Sequence, residues 1–215
     1  RAHSSVGETT TLTADLVVGA TGGLSRPRDP DIPGLSLFKG PLFHSARWDH
    51  EVDLRDQKVA VIGTGASAIQ IVPALADEVA ELHLFQRTPP WILPRPDRPI
   101  PERERDLYRR LPALQGLHRL YLYSRLEVRV LGFTGPRFLL APTHHEALSH
   151  IRDSIDDPEL RAAVTPDYTL GCKRILLSSD YYNTLNRPDV HLVRGGATEL
   201  TRTGVRGADG TLRKV

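Results

Sequence analysis

The chain has 215 residues, of which 28 are Lys or Arg and 26 are Asp or Glu, so its formal net charge is +2. This near-neutral balance, without a run rich in Lys and Arg, argues against nucleic-acid binding, and no apolar run approaches the roughly 20 residues that span a bilayer. A single cysteine, Cys172, permits no intrachain disulfide, so we expect a cytoplasmic protein without a membrane span.

The first predicted element is a strand over residues 11–18, T-L-T-A-D-L-V-V, which alternates and then becomes continuously apolar. Such a pattern is typical of a strand that enters a buried sheet. The small residues Ala20, Thr21 and Gly22 then end it, and the proline-rich run over residues 26–33 favours an extended connecting loop. Because the chain begins at Arg1 and contains no methionine, we expect it to be a piece of a longer protein.

Residues 58–86 have the pattern of a β-α-β unit. Lys58 to Ile62 is a short, β-branched strand of the kind that is covered on both faces of a parallel sheet. The stretch from Ala66 to Ala76 has apolar residues at helical spacing, and Glu81 to Gln86 alternates like a second strand. The sequence therefore predicts an α/β fold, a Rossmann-like dinucleotide-binding domain with a parallel sheet flanked by helices.

The turn between the first of these strands and the helix reads G-x-G-x-x-A. Gly63 permits a tight turn, Gly65 lets the backbone approach a pyrophosphate, and Ala68 lets the helix pack closely on the strand. The helix start then offers amide groups and a positive dipole end to phosphates. The predicted cofactor contacts at this turn are Gly63, Thr64, Gly65, Ala66 and Ser67.

The end of the second strand indicates which nicotinamide cofactor is bound. NAD-specific sites place Asp or Glu about 20 residues past the glycines, to accept a hydrogen bond from the ribose 2′-hydroxyl. Here the sequence has Arg87 and Thr88. A guanidinium binds a 2′-phosphate through charge-assisted hydrogen bonds, whereas a carboxylate would repel it. We therefore predict NADP, bound by Arg87 and Thr88; the alternative is that Arg87 is a solvated surface residue.

Residues 94–165 interrupt this pattern with a predicted helical insertion. Charged helix formers follow a proline-rich stretch, and apolar residues from Leu114 to Leu131 recur at a rough three-to-four spacing. Asp157 and Pro158 have the pattern of a helix start. The amphipathic stretches could lie on a membrane surface, but the acids scattered among the basic residues favour a face packed against protein.

The adjacent histidines His144 and His145 raise the question of a metal site within the insertion. Neighbouring side chains on a helix point in different directions, and no nearby third ligand is evident in the sequence. We therefore predict that no metal is bound.

Two segments resemble Baeyer–Villiger monooxygenases, flavoenzymes that use NADPH and dioxygen. The first reads F-x-G-x-x-x-H-x-x-x-W-D and comprises Phe38, Gly40, His44, Trp48 and Asp49. The second, within residues 167–193, has a G-x-K-R element before a short helix and a strand that reads N-R-P-x-V-x-L-V. The resemblance runs from about Leu16 to the end of the chain.

The resemblance implies roles for three of these residues. Lys173 is expected to bind the NADP phosphate, and Arg174 to approach the flavin, where a permanent positive charge favours a peroxyflavin anion. His44 is implied to couple cofactor binding to domain movement, without direct proton chemistry. We therefore place Arg174 and His44 in the catalytic cycle. The alternatives are surface charges for Lys173 and Arg174, and a purely structural histidine for His44.

The resemblance also implies a domain plan. Residues 1–22 would be the tail of an FAD-binding domain and its A-T-G linker, residues 23–93 and 166–215 the NADP-binding domain, and residues 94–165 the helical insertion. We expect the FAD site to lie mostly outside this chain, which by itself should be inactive.

The activity implied by the resemblance is an NADPH- and FAD-dependent monooxygenase that inserts one oxygen atom of O2 next to a ketone carbonyl, giving an ester or lactone. One alternative is a flavin-containing monooxygenase that oxidises nitrogen or sulfur, although Trp48 favours the Baeyer–Villiger reaction. The other alternative is a non-catalytic fragment that binds NADP.

Overall fold

A computed structural model describes residues 2–3, 9–10, 13–20, 22 and 26–215. The strands are β1 (Ala2–His3), β2 (Thr9–Thr10), β3 (Lys58–Ile62), β4 (Glu81–Gln86), β5 (Ile92–Leu93), β6 (Leu176–Leu177), β7 (Val190–Arg194), β8 (Ala197–Thr201), β9 (Gly204–Gly207) and β10 (Leu212–Lys214). The helices are α1 (Ala68–Ala76), α2 (Glu102–Arg110), α3 (Pro112–Thr134), α4 (Ala141–Ser154), α5 (Pro158–Val164) and α6 (Tyr181–Thr184), with 3-10 turns over Leu35–Leu37 and Arg137–Leu140.

A parallel sheet with the strand order β3-β4-β7 forms the centre of the fold. Ile62 is aligned with Phe85, and Phe85 with Val193, so the carboxyl ends of the three strands lie at one edge. Helix α1 connects β3 to β4, at the boundaries that the sequence predicted for both strands. The predicted Rossmann-like α/β fold is therefore confirmed.

Each face of this sheet is covered. On one face, Leu82 and Leu84 of β4 pack in a core that includes Val72 of helix α1. On the other face, Phe85 and Val193 pack against Leu200 and Val205. The last two belong to an antiparallel meander of β8, β9 and β10, which the sequence analysis did not predict. These strands are short, and β9 has a single large apolar residue. The alternation of apolar and polar residues is therefore too weak to predict these strands from the sequence.

The helical insertion leaves and rejoins the domain at one place. Strands β5 and β6 pair in parallel on either side of it, with Ile92 aligned with Leu176. In the C-terminal part of the insertion, Asp157 caps helix α5 by accepting from the amide of Glu159 at 3.0 Å, as predicted. The Gln86 side-chain amide donates to the carbonyl of Ala163 in α5 at 2.8 Å, which ties the insertion to the end of β4.

Most large apolar side chains of α3 are exposed within the described chain, so the predicted face packed against protein stays a prediction. Leu117, Tyr121 and Val128 are 61%, 60% and 61% exposed. Helix α3 packs chiefly against α2 and the 3-10 turn at residues 137–140, which leaves most of its surface uncovered. Among the described residues, no helix is both long enough and apolar enough to cross a membrane.

The strand predicted over residues 11–18 is not formed in its described part. Residues 13–20 lie in no strand, and Leu16, Val17 and Val18 are 80%, 83% and 77% exposed. A buried strand needs neighbours that take its backbone hydrogen bonds, and no described strand pairs with this segment. Residues 11, 12 and 21 lie outside the described residues, so the A-T-G linker stays a prediction.

A group of titratable side chains lies on the sheet face that packs against the meander. Glu81 binds Lys58 at 2.6 Å, and its Oε1 lies 3.2 Å from Nε2 of both His83 and His191. The two imidazole rings stack with centroids 5.2 Å apart. Burial lowers the pKa of His83; Glu81 opposes this shift, and the positive charges of His191, Arg213 and Lys58 add to it.

The lowered pKa of His83 predicts that acid destabilises the fold. Above the ordinary histidine pKa of 6.5, His83 is neutral in both states. As the pH falls through this value, the unfolded chain takes up a proton that the folded chain resists, so stability is lost. When the pH is lowered from about 7.5 to about 5.5, the melting temperature of His83→Gln should fall less than that of the wild type.

The exposed His50 offers a control for this experiment. His50→Gln should keep the pH dependence of the wild type. The same pH dependence in His83→Gln as in the wild type would contradict the prediction.

Candidate functional site

The turn after β3 opens toward solvent at the carboxyl edge of the sheet. The amide of Gly63 donates to the carbonyl of Phe85 at 3.0 Å, which extends the pairing of β3 and β4 by one step. Gly63 then turns the chain with φ 106°, a conformation that residues with side chains rarely adopt. A Cβ atom at Gly63 or Gly65 would meet no other atom within 4 Å, so a ligand can approach the backbone here.

Helix α1 begins directly after this turn. The amide of Ile69 donates to the carbonyl of Gly65 at 3.1 Å, while Ala68 is buried. Ala66 and Ser67 are exposed, and the first turn of α1, all of it described, contains no acidic residue. The positive end of the helix dipole therefore faces the open side of the turn without a competing negative charge.

Arg87 and Thr88 follow β4 and form an arm beside the turn. The hydroxyl of Thr64, a residue only 8% exposed, donates to the carbonyl of Thr88 at 3.1 Å. On the other side of the arm, a Cβ atom at Gly196 would lie 3.3 Å from Cβ of Arg87. Arg87 itself is exposed. The structure thus brings the predicted residues at 63–67 and at 87–88 together at one edge.

Three residues that support this edge were not predicted. Gly195 and Gly196 follow β7 with φ 85° and 81°, so both adopt a left-handed conformation beside the arm. Gln86 anchors the end of β4 to the insertion, as described above. The Gly-Gly pair directly after an apolar strand is the signal in the sequence that could have pointed to this turn.

Lys173 and Arg174 lie just before β6. Both line a cavity of about 460 Å³, together with Leu93, Phe133, Thr143, Gly171, Ile175 and Leu177. The ammonium group of Lys173 also lies 4.5 Å from the ring centroid of Tyr168, within the range of a cation–π contact.

Backbone pairing connects the Lys173–Arg174 segment to the Arg87–Thr88 arm. The amide of Leu176 donates to the carbonyl of Trp91 at 2.9 Å, and the indole N–H of Trp91 donates to the carbonyl of Tyr168, also at 2.9 Å. Trp91 follows Thr88 by three positions, so a short segment links the Arg87–Thr88 arm to the bonds that Trp91 makes with Leu176 and Tyr168.

The aromatic residues of the motif at 38–49 pack in two different cores. Phe38 contributes to the core that includes Phe85 and the meander, whereas Trp48 packs against the core on the opposite face of the sheet. A Cβ atom at Gly40 would come within 2.8 Å of the Phe38 ring, so glycine leaves room for this aromatic side chain. Phe43 meets Trp48 edge-on, with ring centroids 5.1 Å apart.

The polar residues of the same motif stabilise local turns. Nδ1 of His44 accepts from the amide of Ala46 at 3.0 Å, and Oδ1 of Asp49 accepts from the amide of Glu51 at 3.0 Å. Neither side chain has a described hydrogen bond to the Gly63 turn or to Arg87.

His144 in α4 packs against an aromatic residue. The ring of His144 meets Trp91 edge-on at 5.0 Å. Within the part of the chain that the structure describes, no group of three or more His, Cys, Asp or Glu residues has an arrangement that could hold a metal ion.

Comparison with known proteins gives matches to sequences and to solved structures. The model of the flavin-binding monooxygenase-like family matches residues 5–101. A Baeyer–Villiger monooxygenase from Streptomyces coelicolor is 53% identical over 94% of this chain and 39% of its own length. A Baeyer–Villiger monooxygenase from Pseudomonas aeruginosa is 51% identical over 94% of this chain and 38% of its own length.

Two solved structures show the same architecture. A steroid monooxygenase bound to NADP has a TM-score of 0.73 and 27% identity, covering 91% of this chain and 44% of that chain. Cyclohexanone monooxygenase from Rhodococcus sp. Phi1, bound to NADP+, has a TM-score of 0.69 and 28% identity, with the same coverage of 91% and 44%.

The fold and the glycine turn define an α/β protein with a dinucleotide-binding architecture. The chain is similar to the flavin-binding monooxygenase-like family over residues 5–101 and to bacterial Baeyer–Villiger monooxygenases over 94% of its length. The chain spans 39% and 38% of the length of the two bacterial relatives.

The geometry of the turn predicts different effects for its two glycines. Gly63→Ala forces a side chain into the φ 106° conformation, which should cost about 1–3 kcal/mol of stability. Gly65→Ala has open space and no such strain, so its melting temperature should stay close to that of the wild type. Its Cβ atom should nevertheless obstruct a pyrophosphate and weaken dinucleotide binding.

Thermal denaturation and calorimetric titration with NADPH would measure the two properties of each variant. Equal stability losses in Gly63→Ala and Gly65→Ala would contradict this account of the turn.

Proposed function

We propose that this chain is the NADP-binding part of a Baeyer–Villiger monooxygenase, an NADPH- and FAD-dependent enzyme that converts a ketone to an ester or lactone. Residues 23–93 and 166–215 would form the NADP-binding domain around the helical insertion. The identities of 53% and 51% to bacterial Baeyer–Villiger monooxygenases support the reaction class.

The observation that carries the proposal is the position of Arg87 beside the open glycine turn. Arg87 follows the strand next to β3, where an NAD-specific protein would have a carboxylate. The arm is fixed from the side of the turn by Thr64 and from the other side by Gly196. A pyrophosphate at Gly63 and Gly65 would therefore place an adenosine ribose within reach of a guanidinium, which favours a 2′-phosphate.

The residues of the turn fit a dinucleotide. The space outside Gly63 and Gly65 is empty of protein atoms within 4 Å of a Cβ position, and helix α1 begins there with its positive dipole end. We propose that the exposed residues Ala66 and Ser67 contact the phosphates with their backbone amides, and that Thr88 completes the ribose side of the site.

Lys173 and Arg174 supply two positive charges to the neighbouring cavity. We propose that Lys173 binds phosphate and that Arg174 faces the flavin, where its permanent charge stabilises negative charge formed during the reaction. FAD, when bound and reduced by NADPH, supplies the activation of dioxygen. The apolar part of the cavity wall, Leu93, Phe133 and Ile175, would limit the access of water.

The motif at residues 38–49 would hold the segment that enters the NADP-binding domain. We propose that Phe38, Gly40, Trp48 and Asp49 anchor this segment by packing and turn formation, and that His44 transmits cofactor binding to a movement of the domain. The half-buried position of His44 in a turn, rather than in the cavity with Arg174, agrees with a role outside proton transfer.

A chimaera with the Streptomyces coelicolor relative tests the proposed activity. The matching 39% of that enzyme is replaced by this chain, so that the relative supplies the remaining parts. The chimaera should bind FAD, oxidise NADPH in the presence of a ketone that the parent enzyme accepts, and form the ester.

Two outcomes of this experiment would count against a Baeyer–Villiger reaction. A chimaera that holds FAD and is reduced by NADPH but forms no ester would contradict the proposal. Oxidation of an amine or thioether instead of the ketone would favour a nitrogen- or sulfur-oxidising enzyme. The parent enzyme is the control for both measurements.

In the same chimaera, Arg174→Ala should leave the dissociation constant of NADPH within about twofold and lower ester formation by about 10² or more, because a preorganised charge is lost. Lys173→Ala should raise the NADPH concentration required, with little change in ester formation at saturation. Single-turnover mixing of the reduced enzyme with oxygen and ketone separates these steps. Ester formation at the unaltered rate in Arg174→Ala would remove this residue from the catalytic cycle.

Arg87→Ala should weaken the binding of NADPH to the chain by about one to two decades, or roughly 1.5–3 kcal/mol, because charge-assisted hydrogen bonds to a phosphate are lost. NADH, which lacks this phosphate, should bind with almost unchanged affinity. Isothermal titration calorimetry with both cofactors measures the difference. Arg202→Ala, which removes the same charge from an exposed position in the meander, is the control. Equal losses for NADPH and NADH would exclude the assignment.

A further inference from the structure

The hydroxyl of Thr64 binds protein rather than facing the open side of the glycine turn. It donates to the carbonyl of Thr88 at 3.1 Å across 24 positions of the chain, and Thr64 is buried directly before the exposed residues 65–67. A hydroxyl has one proton to donate, so this proton is not available to a phosphate at the same time. The sequence had suggested Thr64 as a direct cofactor contact.

The bond replaces a hydrogen bond that the sheet can no longer make. Backbone pairing between β3 and β4 ends at Ile62 and Phe85, followed by the bond from the amide of Gly63 to Phe85. At Gly63 the chain turns away with φ 106°, so the following amides leave the plane of the sheet. The Thr64 side chain then continues the connection to the segment after β4, two positions beyond the strand end at Gln86.

The Arg87 backbone is consequently held from three directions. Gln86, one position before it, is bonded to Ala163. Gly196 lies against its Cβ atom, and Thr88, one position after it, is bonded to Thr64. The first two contacts fix the strand end and one side of the arm, whereas the Thr64 bond joins the arm itself to the glycine turn.

We propose that Thr64 is a positioning residue that determines which cofactor binds. Its bond to Thr88 sets the distance between the glycine turn and Arg87, so that one dinucleotide can bind the turn with its pyrophosphate and the guanidinium with its 2′-phosphate. The inference rests on the proposed NADP site. Without the bond, the turn and Arg87 still exist, but they are no longer held in one geometry. The affinity for a 2′-phosphorylated cofactor then falls, while a cofactor without that phosphate is little affected.

Thr64→Val and Thr64→Ser form a matched pair in the purified chain, titrated with NADPH and NADH by calorimetry. Valine has nearly the same shape as threonine but no hydroxyl, and should weaken NADPH by about threefold to tenfold and NADH by less than about twofold. Serine keeps the hydroxyl and should retain the preference for NADPH. If Thr64→Val does not fold, as judged by circular dichroism, Thr64→Cys against Thr64→Ser makes the same comparison with a weak donor in place of the hydroxyl.

A double-mutant cycle with Arg87→Ala separates positioning from direct contact. In the Arg87→Ala background, Thr64→Val should cause no further loss of NADPH affinity, because the group that it positions is gone. Equal losses in both backgrounds, or equal losses for NADPH and NADH in Thr64→Val, would overturn the inference and leave the proposed NADP site in place. A wild-type chain that binds NADPH no better than NADH would instead refute the proposed NADP site and, with it, the inference.

Discussion

The parallel alignment of β3, β4 and β7 is the constraint on which the candidate site depends. Because the three strands run in the same direction, the turn at Gly63, the arm at Arg87 and the glycines after β7 come to one edge. The register is protected by a core on each face of the sheet. A slip by one residue would move Leu84 out of the core it shares with α1 and exchange it with a residue of the other face.

The two cores also explain the spacing of the aromatic residues at positions 38 and 48. Phe38 packs on the meander side and Trp48 on the helix side, so the segment between them passes from one face of the sheet to the other. This crossing fixes the segment that leads into β3. The aromatic and glycine residues of the motif therefore contribute to packing, independently of the role of His44.

The helical insertion is held to the domain by the stem of β5 and β6, by one buried side-chain bond, and by Ile151, Ile155 and Val164, which pack in the core on the α1 face of the sheet. Pairing of β5 with β6 brings residues 92 and 176 together, and Gln86 binds Ala163 at the far end of the insertion. The stem connects the segment of Lys173 and Arg174 to the segment that follows the Arg87 arm, although 85 positions separate Thr88 from Lys173. Most of the large apolar residues of α3 remain exposed within the described chain.

The sequence by itself determined the β-α-β unit, its glycine turn, the basic residue after β4 and the start of α5, since each of these depends on local periodicity or on a few neighbouring residues. It also indicated the family, through motifs that are contiguous in the chain. The tertiary structure decided what depends on distant pairing: the antiparallel meander, the left-handed glycines beside Arg87, the exposed residues 13–20 and the common cavity of Lys173 and Arg174. The role of Thr64 belongs to the second group, because a hydroxyl can bind a ligand or a backbone carbonyl, and only the position of Thr88 in space shows which partner it has.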